Sequence, residues 1–271
     1  MKKHQLFVHL PLSLYRKYRE AVLAMPTGLE LLVDHESLAP GFRGEAEAIA
    51  AELREAKILC RFHAPFRDLH PAGHDPEAVD LARRRFEGAL ELAPLFGVST
   101  LVVHPAWDPQ GDALDRSDWL DRAEAFWTAL VPSLETAGAR FALENIFDRD
   151  PSLLGALLER LNPDRFVWLF DTGHFNAYSQ ASLEEWLKTL GPRLHSLHIH
   201  DNAGQDDEHL ALGAGNFLWD DLFALARLEG PLEWTIENRS IEDVLAGLRF
   251  LAERSGLEDF AHLAAPMMGE S

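Results

Sequence analysis

Short runs of apolar and β-branched residues alternate along this chain with longer stretches whose apolar positions recur at helical spacing. The first pattern belongs to strands and the second to helices. The runs fall at 6–10, 29–33, 58–63, 99–104, 141–145, 166–171, 194–200 and 234–238. The helical stretches fall at 13–24, 44–56, 77–96, 117–137, 151–161, 183–190, 218–228 and 241–253. Pro151 opens its stretch, where a missing N–H costs nothing. Eight strand–helix units without a break in composition predict an α/β fold, a closed (β/α)8 TIM barrel. It would be a single domain over 1–271, with its core at 5–254 and a tail at 255–271 to which the sequence assigns no role. An open doubly wound sheet is the alternative, and eight near-equal units fit closure better.

Composition narrows the function classes. With 47% apolar residues the chain can bury a large core, and its one cysteine, Cys60, allows no disulfide framework and points to a reducing compartment. No apolar run at the N-terminus is long enough for a signal peptide and none approaches membrane-spanning length, so the expectation is a cytoplasmic protein without a membrane partner. The formal net charge of −19 disfavours non-specific attraction to phosphate backbones, which argues against nucleic acid as a partner. No G-x-G-x-x-G or Walker-type loop follows any strand.

In a barrel of this type the active site forms at the C-terminal ends of the strands. Six consecutive predicted strands carry metal-binding residue types there: His63, His104, Glu144, Asp171, His198 and Glu237. Strand parity puts Glu144 on the same face as Ala142, against Phe141 and Leu143, and Glu237 with Thr235, against Trp234 and Ile236. The bulky residues would pack on helices and the ligands would face the lumen. His174, in DTGH, and the pair Asp207 and His209, in a short loop after the seventh strand, are further candidates. Strand-end polar groups can simply cap helices. Carboxylates converging with imidazoles on one barrel mouth are better explained by a cation, because the carboxylates repel one another without it. His63 and His104 have a second explanation in loop hydrogen bonds beside Pro65 and Pro105.

Other residues divide between packing and pocket. His200 shares the orientation of His198 nearer the rim and is expected to support the ligands or touch substrate; Trp107, after HPA, is expected to wall the pocket. Arg61 should face the lumen and pair with a carboxylate, and Cys60 should be a buried, inert thiol. His9, His35, His70 and His74 lack matching partners and are expected to be solvated, and the remaining tryptophans fall at packing positions. Arg239 either contacts a substrate phosphate or makes a salt bridge at the start of a helix.

Together the motifs HAPF at 63–66, VVHP at 102–105, LEN at 143–145, FDTGH at 170–174, HIHDN at 198–202, DEH at 207–209 and IEN at 236–238 resemble the xylose isomerase-like TIM barrel superfamily. That superfamily takes in sugar and sugar-phosphate isomerases and epimerases, and AP endonuclease family 2 with endonuclease IV. The resemblance to ketose epimerases and inositol-catabolism enzymes implies a one-metal site of Glu144, Asp171, His198 and Glu237, with His174 near the substrate. The resemblance to endonuclease IV implies a trinuclear zinc site that adds His63, His104, His174, Asp207 and His209, and all these positions are filled. The chain departs from both. An acidic loop, AGQDDEH, stands where ketose epimerases carry a substrate arginine, and the short loop HLPLSLY offers little charge for gripping DNA.

Two mechanisms follow from the resemblance. In the first, an isomerase or epimerase acts on a small carbohydrate, with Glu144 and Glu237 moving a proton on opposite faces of an enediolate and His174 bonding the oxygen that gains charge. In the second, a phosphodiesterase of the AP endonuclease type uses a bridging hydroxide on zinc. A barrel that binds metal or sugar without catalysis is a third reading, which two opposed glutamates disfavour. The histidines suit zinc or iron, and a mainly carboxylate site suits manganese, cobalt or magnesium. Nothing in the sequence fixes the oligomeric state, and a homo-oligomer is allowed.

Overall fold

The computed structural model describes residues 3–107, 115–226 and 231–264. Eight parallel strands close into one barrel in sequence order. They are β1 (Gln5–Pro11), β2 (Gly28–Leu32), β3 (Cys60–His63), β4 (Thr100–Val103), β5 (Arg140–Glu144), β6 (Phe166–Asp171), β7 (Leu194–Ile199) and β8 (Glu233–Ile236). Ten α-helices surround them among the described residues: α1 (Tyr15–Ala24), α2 (Arg43–Glu55), α3 (Pro76–Phe96), α4 (Arg116–Ala129), α5 (Val131–Ala137), α6 (Ser152–Arg160), α7 (Thr172–Tyr178), α8 (Leu183–Leu190), α9 (Trp219–Ala226) and α10 (Ile241–Arg254). None is long and apolar enough to cross a membrane.

Local chemistry sets most boundaries. Asp75 caps α3 by accepting from the Glu77 N–H at 2.9 Å, Pro76 occupies its first turn, and Gly97 ends it in the left-handed region at φ 66°. The single stretch expected at 117–137 is two helices, because Pro132 has no N–H to continue the ladder and its ring crowds the preceding turn. Helix α7 is absent from the periodicity of the sequence. Asp171 both ends β6 and caps α7, accepting from the His174 N–H at 2.6 Å, so strand and helix share a residue and no loop announces the second. The stretch expected to run to 228 is seen as α9 to Ala226, and positions 227–228 lie outside the described residues. The tail is also partly assigned. A 3-10 segment, Glu258–Ala264, seats Phe260 edge-on against Trp234 at 5.5 Å, while Asp259 accepts from the His4 N–H at 2.9 Å.

The alternation along each strand sorts two interiors. Outward-facing residues such as Phe62, Phe141, Trp168, Phe170 and Trp234 are buried beneath the helices. Inward-facing ones fill the lumen unevenly. Val102, Ala142, Val167 and Leu169 form a separate apolar cluster on the β4–β6 side. Across from it lie Glu30, Arg61, Ser196 and Thr235, all buried and polar. Arg61 faces the lumen and pairs with a carboxylate as expected, with Nε 3.0 Å from Glu30 Oε2.

Candidate active site

Above this floor the C-terminal strand ends bring all nine sequence-predicted ligands together. Glu144 stands at the centre. Its Oε1 lies 3.3 Å from both His198 Nδ1 and His174 Nδ1, and its Oε2 lies 3.2 Å from His104 Nε2 and 3.6 Å from His63 Nε2. Glu237 Oε2 reaches His198 Nδ1 at 3.0 Å, and Asp171 Oδ2 lies 3.8 Å from the same nitrogen. On the far side His209 Nε2 meets Asp207 Oδ2 at 2.9 Å, and His174 Nε2 is 3.6 Å from that carboxylate oxygen.

Three asparagines that follow acidic residues in the motifs LEN, HDN and IEN hold these elements in place. Asn145 donates to the Asp171 carbonyl at 3.1 Å and accepts from the Asp171 N–H at 3.0 Å, extending the β5–β6 pairing beyond the strand. Asn202 donates to the Gly173 carbonyl at 2.8 Å, and Asn238 to the carbonyls of His209 and Leu210 at 2.9 and 2.8 Å. Asp201 closes the loop that carries Asp207 and His209, its carboxylate accepting from the N–H groups of Asn202, Gly213 and Phe217 and from the Trp219 indole. His209 adopts φ 55°, a left-handed conformation that a side-chain-bearing residue holds only where its surroundings compel it.

Several histidines have one ring nitrogen committed to a backbone carbonyl. His63 Nδ1 lies 2.8 Å from the Ala64 oxygen, His174 Nδ1 3.1 Å from the Asn145 oxygen, and His209 Nδ1 2.6 Å from the Glu237 oxygen. In the neutral ring, a nitrogen that donates to a carbonyl leaves the other as a lone pair, which is the form a metal takes.

Charge coupling dominates the site. Burial alone would lower the His198 imidazole, but Glu30, Glu237 and Glu144 outweigh it and hold it well above its usual range. His174 is raised in the same way against burial by Asp171, Asp207 and Glu144. Burial would raise Glu144 and Glu237, yet His198 above all holds both well below the usual carboxylate range. His209, despite burial, is raised to about 9 by its bond to Asp207. His104 goes the other way, since burial outweighs Glu144.

The donors suit divalent ions. Within 4.8 Å of one another lie ligand atoms of four groups: His63, His104 and Glu144; His63, His198 and Glu237; Glu144, Asp171, His198 and Glu237; and His200, Asp207 and His209. Glu144 Oε2, His198 Nδ1, His200 Nδ1 and Asp207 Oδ1 are buried without a hydrogen-bond partner among the described residues. Orphaned acceptors and lone pairs aimed at one another are costly unless a cation fills the space between them.

His200, expected nearer the rim than His198 and in support of the ligands or against substrate, is wholly buried. Its Nε2 lies 3.2 Å from Asp171 Oδ2, and its ring rests where a side chain at Gly173 would be, 1.9 Å from an added Cβ. His9, expected to be solvated, faces the lumen with Nε2 3.9 Å from Glu237 Oε1. Cys60 is only partly covered, though burial still pushes its thiol up to about 12. Trp107 lines a cavity of about 450 Å3 with His63, His104, Glu144 and His174. Phe66, which carries no signal of its own in the sequence, stacks on His104 at 4.5 Å. A second cavity of about 500 Å3 joins Glu237 and His209 to Arg239, whose guanidinium is exposed and donates to the Asp207 carbonyl at 3.2 Å. Sequence reasoning misses Glu30 altogether, since one glutamate in GLELL carries no motif; strand parity alone would have pointed it inward.

A family model for the xylose isomerase-like TIM barrel matches residues 27–254. The uncharacterised protein MJ1311 of Methanocaldococcus jannaschii is 30% identical over 217 residues, covering 74% of this chain and 72% of that protein. Among solved structures, a D-tagatose 3-epimerase-like protein superposes with TM-score 0.80 at 25% identity, covering 92% of this chain and 96% of the other. The TTHB071 protein from Thermus thermophilus, soaked with ZnCl2, superposes with TM-score 0.75 at 25% identity, covering 98% and 100%.

Proposed function

Because the chain belongs to the xylose isomerase-like TIM barrel family, we propose that it is a divalent-metal-dependent isomerase or epimerase of a sugar or sugar phosphate. The observation that carries the proposal is the approach of Glu144 and Glu237 to one atom, His198 Nδ1, at 3.3 and 3.0 Å, from strands on either side of β6 and β7. The similarity to a D-tagatose 3-epimerase-like protein supports a carbohydrate substrate, and the zinc soak of the Thermus protein supports zinc as the first ion to try.

Glu144, Asp171, His198 and Glu237 would hold the ion, which when bound supplies Lewis acidity to a substrate carbonyl and its neighbouring hydroxyl. The two glutamates are held ionised, so either can accept a proton from the carbon beside that carbonyl. The other, having taken a proton from solvent, returns it to the opposite face of the same carbon, and the first then releases the abstracted proton to solvent. His174, held protonated between Asp171 and Asp207, donates to the oxygen that gains charge. Trp107 walls the sugar on one side, and Arg239 stands at the cavity edge, where it would meet a phosphate.

One observation favours a second reading, a zinc phosphodiesterase of the AP endonuclease type. Glu144 turns Oε2 toward His63 and His104 while Oε1 faces His198, which suits a carboxylate shared by two ions. Asp207 and His209, with His174 or His200, would hold a third. The net charge of −19 opposes a polyanionic substrate.

Metal content and isotope exchange separate the readings. Protein purified without chelator should hold a divalent ion and should wash deuterium from D2O into a ketohexose or its phosphate, with Glu237→Gln abolishing the exchange. Two or three zinc ions per chain with hydrolysis of a phosphodiester and no exchange would establish the second reading instead.

A further inference from the structure

Glu30 lies below the site, inside the barrel, and nothing in the proton-transfer scheme uses it. It is wholly buried, on β2, and its two carboxylate oxygens face different partners. Oε2 is satisfied from below: Arg61 Nε is 3.0 Å away and the Thr235 hydroxyl donates at 2.9 Å. Oε1 is left for one group, His198 Nε2, an ion-pair contact at 2.8 Å in which the ring N–H is not aligned as a hydrogen bond. The opposite nitrogen of that ring, Nδ1, faces Glu144, Asp171 and Glu237 at 3.3, 3.8 and 3.0 Å.

We propose that Glu30 is a positioning residue that sets the tautomer of His198: its negative charge beside Nε2 favours the proton there and leaves the Nδ1 lone pair on the side of Glu144, Asp171 and Glu237. This rests on the metal-dependent reading given above. A buried carboxylate is retained against its desolvation cost only with several partners, and here they come from three other strands. Arg61 on β3 is paired in register with Glu30, Thr235 lies on β8 and His198 on β7. An arrangement needed only to neutralise Arg61 would not require Oε1 to meet His198, because Arg61 also has Glu233 at 3.3 Å and the Ser196 hydroxyl at 3.2 Å. A carboxylate beside the outer nitrogen of an imidazole ligand favours the proton there and makes the ring a more basic ligand.

Glu30→Gln keeps the shape of the side chain and removes its charge. Its amide can turn an NH2 group toward His198, which would move the ring proton to Nδ1 and point it at the ion. Zinc affinity, read by competition with a chromophoric chelator, should fall about 10- to 100-fold, the range for loss of such a partner. Thr235→Val, which leaves Oε1 and His198 in contact, should change it by less than about threefold. Unchanged zinc affinity in folded Glu30→Gln would overturn the role of Glu30 and leave the metal-dependent reading intact, whereas a wild-type protein that binds no divalent ion would overturn both. Should Glu30→Gln fail to fold, two-bond 1H–15N correlation spectra of the zinc-loaded wild type decide the matter. His198 should show a protonated Nε2, and a proton on Nδ1 would refute the proposal.

Discussion

The imidazole of His200 lies flat against that of His209, with ring centroids 4.0 Å apart and planes 6° from parallel. The stack joins two sides of the site, because His200 reaches Asp171 while His209 reaches Asp207. It rests in turn on Gly173, where an added Cβ would fall 1.9 Å from the His200 ring. Gly173→Ala should therefore push His200 off its partner. Overpacking of this kind costs about 1–3 kcal/mol, a loss of roughly 3–10 °C for a domain of this size. Differential scanning calorimetry tests this, and an unchanged Tm would show that the ring has another place to go.

Asp148 provides a pH signature away from the ligands. It lines a narrow gap with Trp107, Trp119 and Leu154, and burial raises its carboxyl to about 6. A carboxyl raised on folding favours the fold below its unfolded value, near 4. That advantage is lost as pH rises through about 6, where the charged form must be kept in the gap. Asp148→Asn should stabilise the protein at pH 8 by at most about 3 kcal/mol, and by little at pH 4. Chemical denaturation at the two pH values checks the sign, and equal gains at both would assign the effect to packing.

Metal loading should release protons. His198 is held well above its usual range, so in the metal-free protein it carries its second proton at pH 7. A ligating imidazole must be neutral, and affinity should therefore rise with pH until this group has titrated. Calorimetric titration with zinc in two buffers of different ionisation enthalpy should give different apparent heats. Identical heats would mean that no proton leaves.

Chelation should cost stability. Glu144, Asp171 and Glu237 are gathered around one histidine and depend on positive charge there. An ion present at 100 times its dissociation constant adds about 2.7 kcal/mol, so dialysis against EDTA should lower Tm by at least 5 °C or so. Re-addition of zinc should restore it.

The barrel and its candidate ligands are legible because both are periodic: strands end in ionisable residues six times in succession, with parity pointing them inward. Residues that act across the lumen are not. His9 and Glu30 sit on β1 and β2 without motifs, and only closure of the sheet brings His9 to Glu237 and Glu30 to His198. The burial of His200 is not legible either, because a strand read alone does not show that α7 lies over its end. α7 in turn is hidden by Asp171, which serves strand and helix together.

The uneven lumen has a consequence for how this sequence can change. On the β4–β6 side, Val102, Ala142, Val167 and Leu169 form a cluster of their own, and exchanges that conserve volume there should act nearly independently of the polar side. On that other side Glu30 is tied to Arg61 and His198 by ion pairs and to Thr235 by a hydrogen bond. A change in any one leaves a buried group unpaired, so these four positions should show strong epistasis and drift only as a set, while the apolar half drifts freely.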